Sequence, residues 1–151
     1  MKTSRLKNYG KINRNNVLSF TWDNKKYKGF EGDTLASALL ANNIGVVGRS
    51  FKYHRPRGIF SSGVEESGAL VTIGSKERRD PNVRATEQEL FEGLEAKSVN
   101  CWPSVNFDVG AINNFLNIFL PAGFYYKTFM WPRSFWYKIY EPLIRKAAGF
   151  G

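Results

Sequence analysis

The chain has 151 residues, a formal net charge of +9, 42% hydrophobic residues, 15% aromatics, one cysteine and one histidine. Its length suits one compact domain, or a small domain with a long extension, with a core that needs no covalent staples. The lone cysteine, Cys101, excludes an internal disulfide framework and any self-contained four-cysteine metal or iron–sulfur site, and one histidine removes most single-chain zinc sites.

Residues 1–14 form a polar tail, rich in Lys, Arg and Asn and without an apolar period, that is predicted to follow a surface. Its start, Met1-Lys2-Thr3-Ser4-Arg5, has no apolar signal core, and no stretch approaches the ~18 apolar residues of a membrane span, so a cytoplasmic location is expected. From Val17 to Trp22 the alternation places Leu18, Phe20 and Trp22 on one face of a strand. Asp23-Asn24-Lys25 supplies a turn and Lys26–Phe30 the returning strand, with Tyr27 inward. A helix follows over 34–43, with Asp33 as its expected N-cap, Leu35, Ala38 and Leu39 on its apolar stripe and Leu40 widening it. Asn43 or Gly45 suits a left-handed helix end. Further on, Ala69–Ile73 reads as a strand, and Thr86–Phe91 fits either a helix or a loop.

Between these elements lies Gly48-Arg49-Ser50-Phe51-Lys52-Tyr53-His54-Arg55-Pro56-Arg57-Gly58, with four basic residues and no acid over 49–57. A hairpin followed by Gly32-Asp33-Thr34-Leu35 and an Ala/Leu helix resembles the opening of plant-type [2Fe–2S] ferredoxin domains, whose fold is the β-grasp. In that family the loop after the helix carries three of the four cluster cysteines. The corresponding loop here has none, and neither Lys nor Arg substitutes for a thiolate. The expected fold is therefore α+β: a ferredoxin-like β-grasp domain over 15–95 lacking the iron–sulfur cysteines, then an aromatic-rich extended linker over 96–151.

The loop itself, with Ser62-Gly63-Val64-Glu65-Glu66, Pro81-Asn82-Val83-Arg84-Ala85-Thr86, Asn100-Cys101-Trp102-Pro103-Ser104, Phe107-Asp108-Val109-Gly110-Ala111 and the run 119–132, resembles the N-terminal part of the alpha subunits of heterotetrameric sarcosine oxidases. That resemblance implies a cytoplasmic complex with beta, gamma and delta subunits, containing FAD, FMN and NAD. It also implies oxidative demethylation of sarcosine to glycine, with hydrogen peroxide and methylene-tetrahydrofolate as products. No Gly-x-Gly-x-x-Gly follows a strand in this sequence, so no flavin or NAD site, no catalytic residue and no complete active site is expected in this chain alone. The chain is expected to be a fragment or one piece of a split subunit whose dinucleotide-binding region lies beyond it.

The candidate site is the basic loop: Arg49, Lys52, His54, Arg55, Arg57 and Gly58. Arginine forks and a lysine charge suit phosphate or carboxylate, Gly48 and Gly58 allow unusual backbone angles, and Pro56 stiffens the turn. Two readings stand: the loop contacts a cofactor phosphate in the flavin region, or its cations pair with Glu65, Glu66 or partner acids and fix an interface. His54 has no carboxylate near it in sequence and is expected to be a hydrogen-bonding loop residue. Cys101 reads as a packed or surface thiol, and Glu65-Glu66 as a solvated turn.

Residues 96–151 hold 14 of the 23 aromatics, among them Phe115, Phe119, Phe124, Tyr125, Phe129, Trp131, Phe135, Trp136 and Tyr140. Prolines 103, 121, 132 and 142 break this extension into short pieces. Such an apolar surface is expected to pack against the rest of the alpha subunit and the other subunits rather than on nucleic acid or membrane. The alternative is a basic aromatic module that binds single-stranded nucleic acid or a membrane surface. Against it, residues 65–95 carry eight carboxylates to four basic groups and divide the positive charge.

Overall fold

A computed structural model describes residues 4–119 and 131–147. Strand β1 (Asn13–Trp22) and β2 (Lys25–Glu31) form an antiparallel hairpin, with Phe20 opposite Tyr27 and Trp22 opposite Lys25. Asp23 and Asn24 both take positive φ, 45° and 64°, which is the two-residue turn whose twist matches the flanking strands. Helix α1 (Leu35–Ala41) follows, then a two-stranded sheet of β3 (Val46–Arg49) and β4 (Pro56–Gly58). Strands β5 (Leu70–Ile73), β6 (Asp80–Arg84) and β7 (Glu95–Lys97) complete the main sheet, of order β2-β1-β7-β5-β6. The β1–β7 pair is parallel and the other pairs are antiparallel. This mixed α+β arrangement is consistent with a ferredoxin-like domain.

The core joins Phe20 and Trp22 of β1 with Leu35, Ala36, Ala38 and Leu39 of α1, Val47, Val71, Leu90, Leu94 and Ala96. Leu18 and Tyr27 pack at its margin, as the strand period requires. Leu40 does not widen the stripe: it is exposed, and Ala36 is buried in its place. The reason is the approach of residues 85–90 to the first turn, where the Leu35 amide donates to Gln88 O at 2.8 Å and the Ala36 amide to Ala85 O at 2.9 Å. Residues 85–88 are thus a turn rather than a helix, and Asn43 ends α1 with φ 62°.

The N-cap is Thr34, whose hydroxyl accepts from the Ser37 amide at 3.2 Å, and not Asp33. Asp33 is buried and otherwise engaged. It accepts from the Phe30 amide at 2.9 Å, from the Ser37 hydroxyl at 2.7 Å, and from both guanidinium ends of Arg5 at 2.9 and 2.7 Å. Arg5 also lies over the Phe30 ring, 5.4 Å from its centroid, so the polar tail is anchored to the hairpin and helix together. At Gly29 a Cβ would lie 2.4 Å from a Leu90 methyl and 3.2 Å from the Ala38 Cβ of α1, so a side chain there would push Leu90 aside and crowd the helix.

After β7 the chain crosses the β3–β4 loop and enters a 3₁₀ segment, Val109–Phe119. A short π-helical turn (Trp136–Tyr140) leads into α2 (Glu141–Ala147). The described part of the extension therefore holds short helical pieces, and Pro142 sits in the first turn of α2, where a missing N–H is tolerated. Phe124, Tyr125 and Phe129 lie outside the described residues.

Removing the Asp33 carboxylate strands the Phe30 amide and takes the ion-pair partner from Arg5. Asp33→Ala is expected to lower unfolding free energy by about 2–4 kcal/mol, and Arg5→Ala by less, in urea titrations followed by Trp22 fluorescence.

Candidate functional site

The basic loop is closed by its own backbone. The Ser50 amide donates to Arg55 O at 2.9 Å, the His54 amide to Ser50 O at 2.9 Å, and the Arg55 amide to the Ser50 hydroxyl at 3.0 Å. The left-handed conformation falls on His54, φ 53°, and on neither flanking glycine. Gly48 and Gly58 serve close approach instead. A Cβ at Gly58 would lie 2.8 Å from Gly45 O, and one at Gly48 would lie 3.0 Å from a Val99 methyl.

The loop's basic side chains divide into two sets. Arg49 and His54 turn inward onto Asp108, whose side chain is fully buried. His54 Nδ1 lies 2.7 Å from Asp108 Oδ2, and Arg49 Nε lies 3.6 Å from the same oxygen. The Arg49 guanidinium also donates to Val105 O at 2.9 and 2.7 Å and to His54 O at 2.8 Å. The other carboxylate oxygen, Oδ1, accepts from the Trp102 amide at 2.9 Å and the Gly110 amide at 3.2 Å. Burial alone pushes the Asp108 pKa up, but the Trp102 amide, His54 and the Gly110 amide outweigh it and hold the carboxyl below its ordinary value. Gly110 is required here, because a Cβ would fall 2.2 Å from the His54 ring.

Lys52 and Arg55 form the outer set, flanking the Tyr53 ring at 4.7 and 4.8 Å from its centroid. Arg55 Nε also donates to Asn114 Oδ1 at 3.0 Å. Arg57, exposed on β4, stands apart from both sets.

Two expectations are corrected. His54 does have a carboxylate partner, supplied from 54 positions away. Glu65 and Glu66 do not neutralise the loop. Glu66 is buried, with Oε2 accepting from the Phe60 and Ser61 amides and Oε1 from the Gly68 amide, each at 2.6 Å. The Ser61 amide and its neighbours outweigh burial and bring Glu66 down to about 2. Asp108 is the residue that sequence reasoning missed. The available signal was its position as the only acid between 96 and 140. Cys101 is half-buried with Sγ 3.1 Å from Ser98 Oγ, and burial, above all, pushes its thiol pKa up.

Beside the loop, the 102–118 segment exposes Trp102, Phe107, Ile112, Phe115 and Ile118, the last two at 83% and 78%. No helix among the described residues is long and apolar enough to cross a membrane.

Residues 15–101 match the family described as "2Fe-2S iron-sulfur cluster binding domain". The chain belongs to this family. It is 62% identical over all 151 residues to "Sarcosine oxidase subunit alpha" of Rhizobium meliloti (strain 1021), and spans 15% of that relative's length. It is 45% identical over 89 residues to the protein of the same name from Corynebacterium sp. (strain U-96), which covers 57% of this chain and 9% of that one. Against the strain P-1 protein, identity is 49% over 72 residues, 48% of this chain and 7% of the relative. The crystal structure of L-proline dehydrogenase from P. horikoshii superposes with a TM-score of 0.46 and 22% identity, over 57% of this chain and 16% of that one.

The residues present do not fit the cluster in the family's description. A [2Fe–2S] centre takes four ligands, thiolates in most cases. The single thiol lies after β7 with a raised pKa, the basic loop has none, and no cluster of three His, Cys, Asp or Glu suited to a metal occurs among the described residues.

Two measurements test this geometry. Asp108→Asn is expected to speed hydrogen exchange at the Trp102 and Gly110 amides by roughly tenfold or more, while β1–β2 amides keep their protection. Because the Glu66 pKa is depressed in the folded state, its contribution to stability is complete above the unfolded value of 4.5 and fades as pH falls toward 2. Glu66→Gln should therefore lower stability at pH 7 and flatten the acid limb of a stability-versus-pH curve.

Proposed function

We propose that this chain is the cluster-less ferredoxin-like part of a sarcosine oxidase alpha subunit, where it organises an interface near the flavins. The carrying observation is the 62% identity over all 151 residues to a sarcosine oxidase alpha subunit of which the chain spans 15%. In this reading residues 1–14 are the polar tail and 15–95 the β-grasp domain. Residues 96–151 lead toward the dinucleotide-binding region of the alpha subunit, and the complex resides in the cytoplasm.

The complex would use FAD, FMN and NAD held by the rest of the alpha subunit and by the beta, gamma and delta subunits. It would oxidise sarcosine with oxygen to glycine and hydrogen peroxide, and pass the one-carbon unit to tetrahydrofolate. The part assigned to this chain is positional. Its exposed apolar segment and its outer cations, Lys52 and Arg55, form one continuous contact face beside the inward-locked Arg49 and His54. Support for an interface comes from the exposure of Phe115 and Ile118, since solvated monomers rarely present such patches.

The test is to purify the full complex carrying this segment and to measure sarcosine-dependent oxygen uptake and peroxide release. A complex that ignores sarcosine sinks the substrate reading. Phe115→Asp with Ile118→Asp is expected to reduce the assembled fraction on size-exclusion chromatography several-fold, with bound flavin falling in step. Unchanged assembly and flavin content would remove the interface role.

A further inference from the structure

A groove of about 420 Å³ opens between the small β3–β4 sheet and the β5–β6 edge of the main sheet. Arg57, Ser67 and Asn82 line it with Ser50, and Phe51 and Leu70 supply apolar wall. No carboxylate is among its lining residues. The nearest acid in sequence, Glu66, has both oxygens on backbone amides.

The polar groups of this groove differ sharply in what they already hold. Arg49 reaches the rim, but its guanidinium is taken by Val105 O, His54 O and Asp108. Asn100 donates to Arg49 O at 3.1 Å. By contrast, the Arg57 guanidinium, the Asn82 amide and the Ser67 hydroxyl make no hydrogen bond or ion pair with protein among the described residues. Asn82 occupies an unusual position for a strand, φ 59° in β6, opposite the register irregularity between Val71 and Ile73. Three donors without protein partners thus share one concave surface with a half-exposed phenyl ring. Arginine's planar fork matches two oxygens of a phosphate or carboxylate at once. The volume lies in the range of small-molecule clefts.

We propose that this groove binds a small oxyanion-bearing molecule, its phosphate or carboxylate held by Arg57 with Asn82 and Ser67 and its planar body laid against Phe51. The site is built entirely by this chain and does not rest on the sarcosine reading, so either can fail without the other. It also assigns distinct work to the basic loop: Arg49 and His54 fix the backbone, and Arg57 contacts the ligand.

The experiment is a titration of the isotope-labelled 151-residue chain, followed by amide chemical shifts, with inorganic phosphate, adenosine monophosphate and benzoate in separate arms. Saturable shifts centred on Arg57, Ser67, Gly68 and Asn82 are expected, with a ring-bearing probe tighter than inorganic phosphate. The tighter of adenosine monophosphate and benzoate identifies the oxyanion. Arg57→Gln should weaken the tighter probe by about tenfold or more. Asn82→Asp should weaken it comparably, by placing a like charge in the groove with little change in volume, and Lys28→Gln on the far hairpin should leave it unchanged. Shifts that fail to saturate, or that spread over the lysines of the tail, overturn the site, as does binding indifferent to both groove variants. Equal affinity for inorganic phosphate and both ring-bearing probes overturns the role given to Phe51.

Discussion

The buried Asp108 carboxylate is the contact on which the arrangement of residues 49–58 depends. Two strands of four and three residues make a sheet too small to hold itself. In a cluster-bearing relative of this fold, metal–thiolate bonds would fix the loop; here an ion pair and hydrogen bonds do so. Burying a carboxylate is unfavourable unless each oxygen is satisfied. Asp108 meets that condition with two amides on Oδ1, and with His54 and Arg49 on Oδ2. Arg49 then extends the network to Val105 O and His54 O, so the segment after β7 and the loop become one unit. The lowered Asp108 pKa has the same origin, because its hydrogen-bond partners together favour the charged form more than burial disfavours it.

This arrangement gives the positive charge of the loop its meaning. Counted along the sequence, residues 49–57 carry four basic groups and no acid, which reads as an uncompensated patch. In three dimensions Arg49 is compensated by Asp108, while Lys52 and Arg55 face outward across Tyr53 and Arg57 faces its groove. The outward charge is smaller than the sequence suggests and is divided between two surfaces. A nucleic-acid backbone calls for a continuous basic track, which this division weakens.

What could be read from the sequence was local. The Asp23-Asn24 turn, the alternation of Leu18, Phe20 and Trp22, and the Leu35, Ala38 and Leu39 spacing each depend on neighbours a few positions away, and each is present in the fold. Most of the features that were missed involve a distant partner, and the rest an irregular turn. Asp33 has the residue type and position of an N-cap, yet Arg5 and the Phe30 amide reach its carboxylate first, and Thr34 caps the helix. Leu40 fits the helical period, but residues 85–90 cover the neighbouring face and leave it outside. His54 looked isolated because Asp108 is 54 positions away, and Glu66 looked solvated because its amide partners belong to a turn with no periodic signature. Side chains that satisfy buried backbone across such separations leave no trace in propensity or period.

The same contact also orients the apolar surface. The 3₁₀ segment begins one residue after Asp108, and its amide at Gly110 is one of the carboxylate's partners. Farther along, Asn114 accepts from Arg55 and Asn113 donates to Lys52 O at 3.5 Å. Phe115 and Ile118 therefore project from a segment tied at three points to the basic loop and the carboxylate beneath it. Asn113 and Asn114 thus seat the apolar face directly against the loop. One buried charge therefore holds both surfaces in register, with Gly110 on one side of it and Arg49 and His54 on the other.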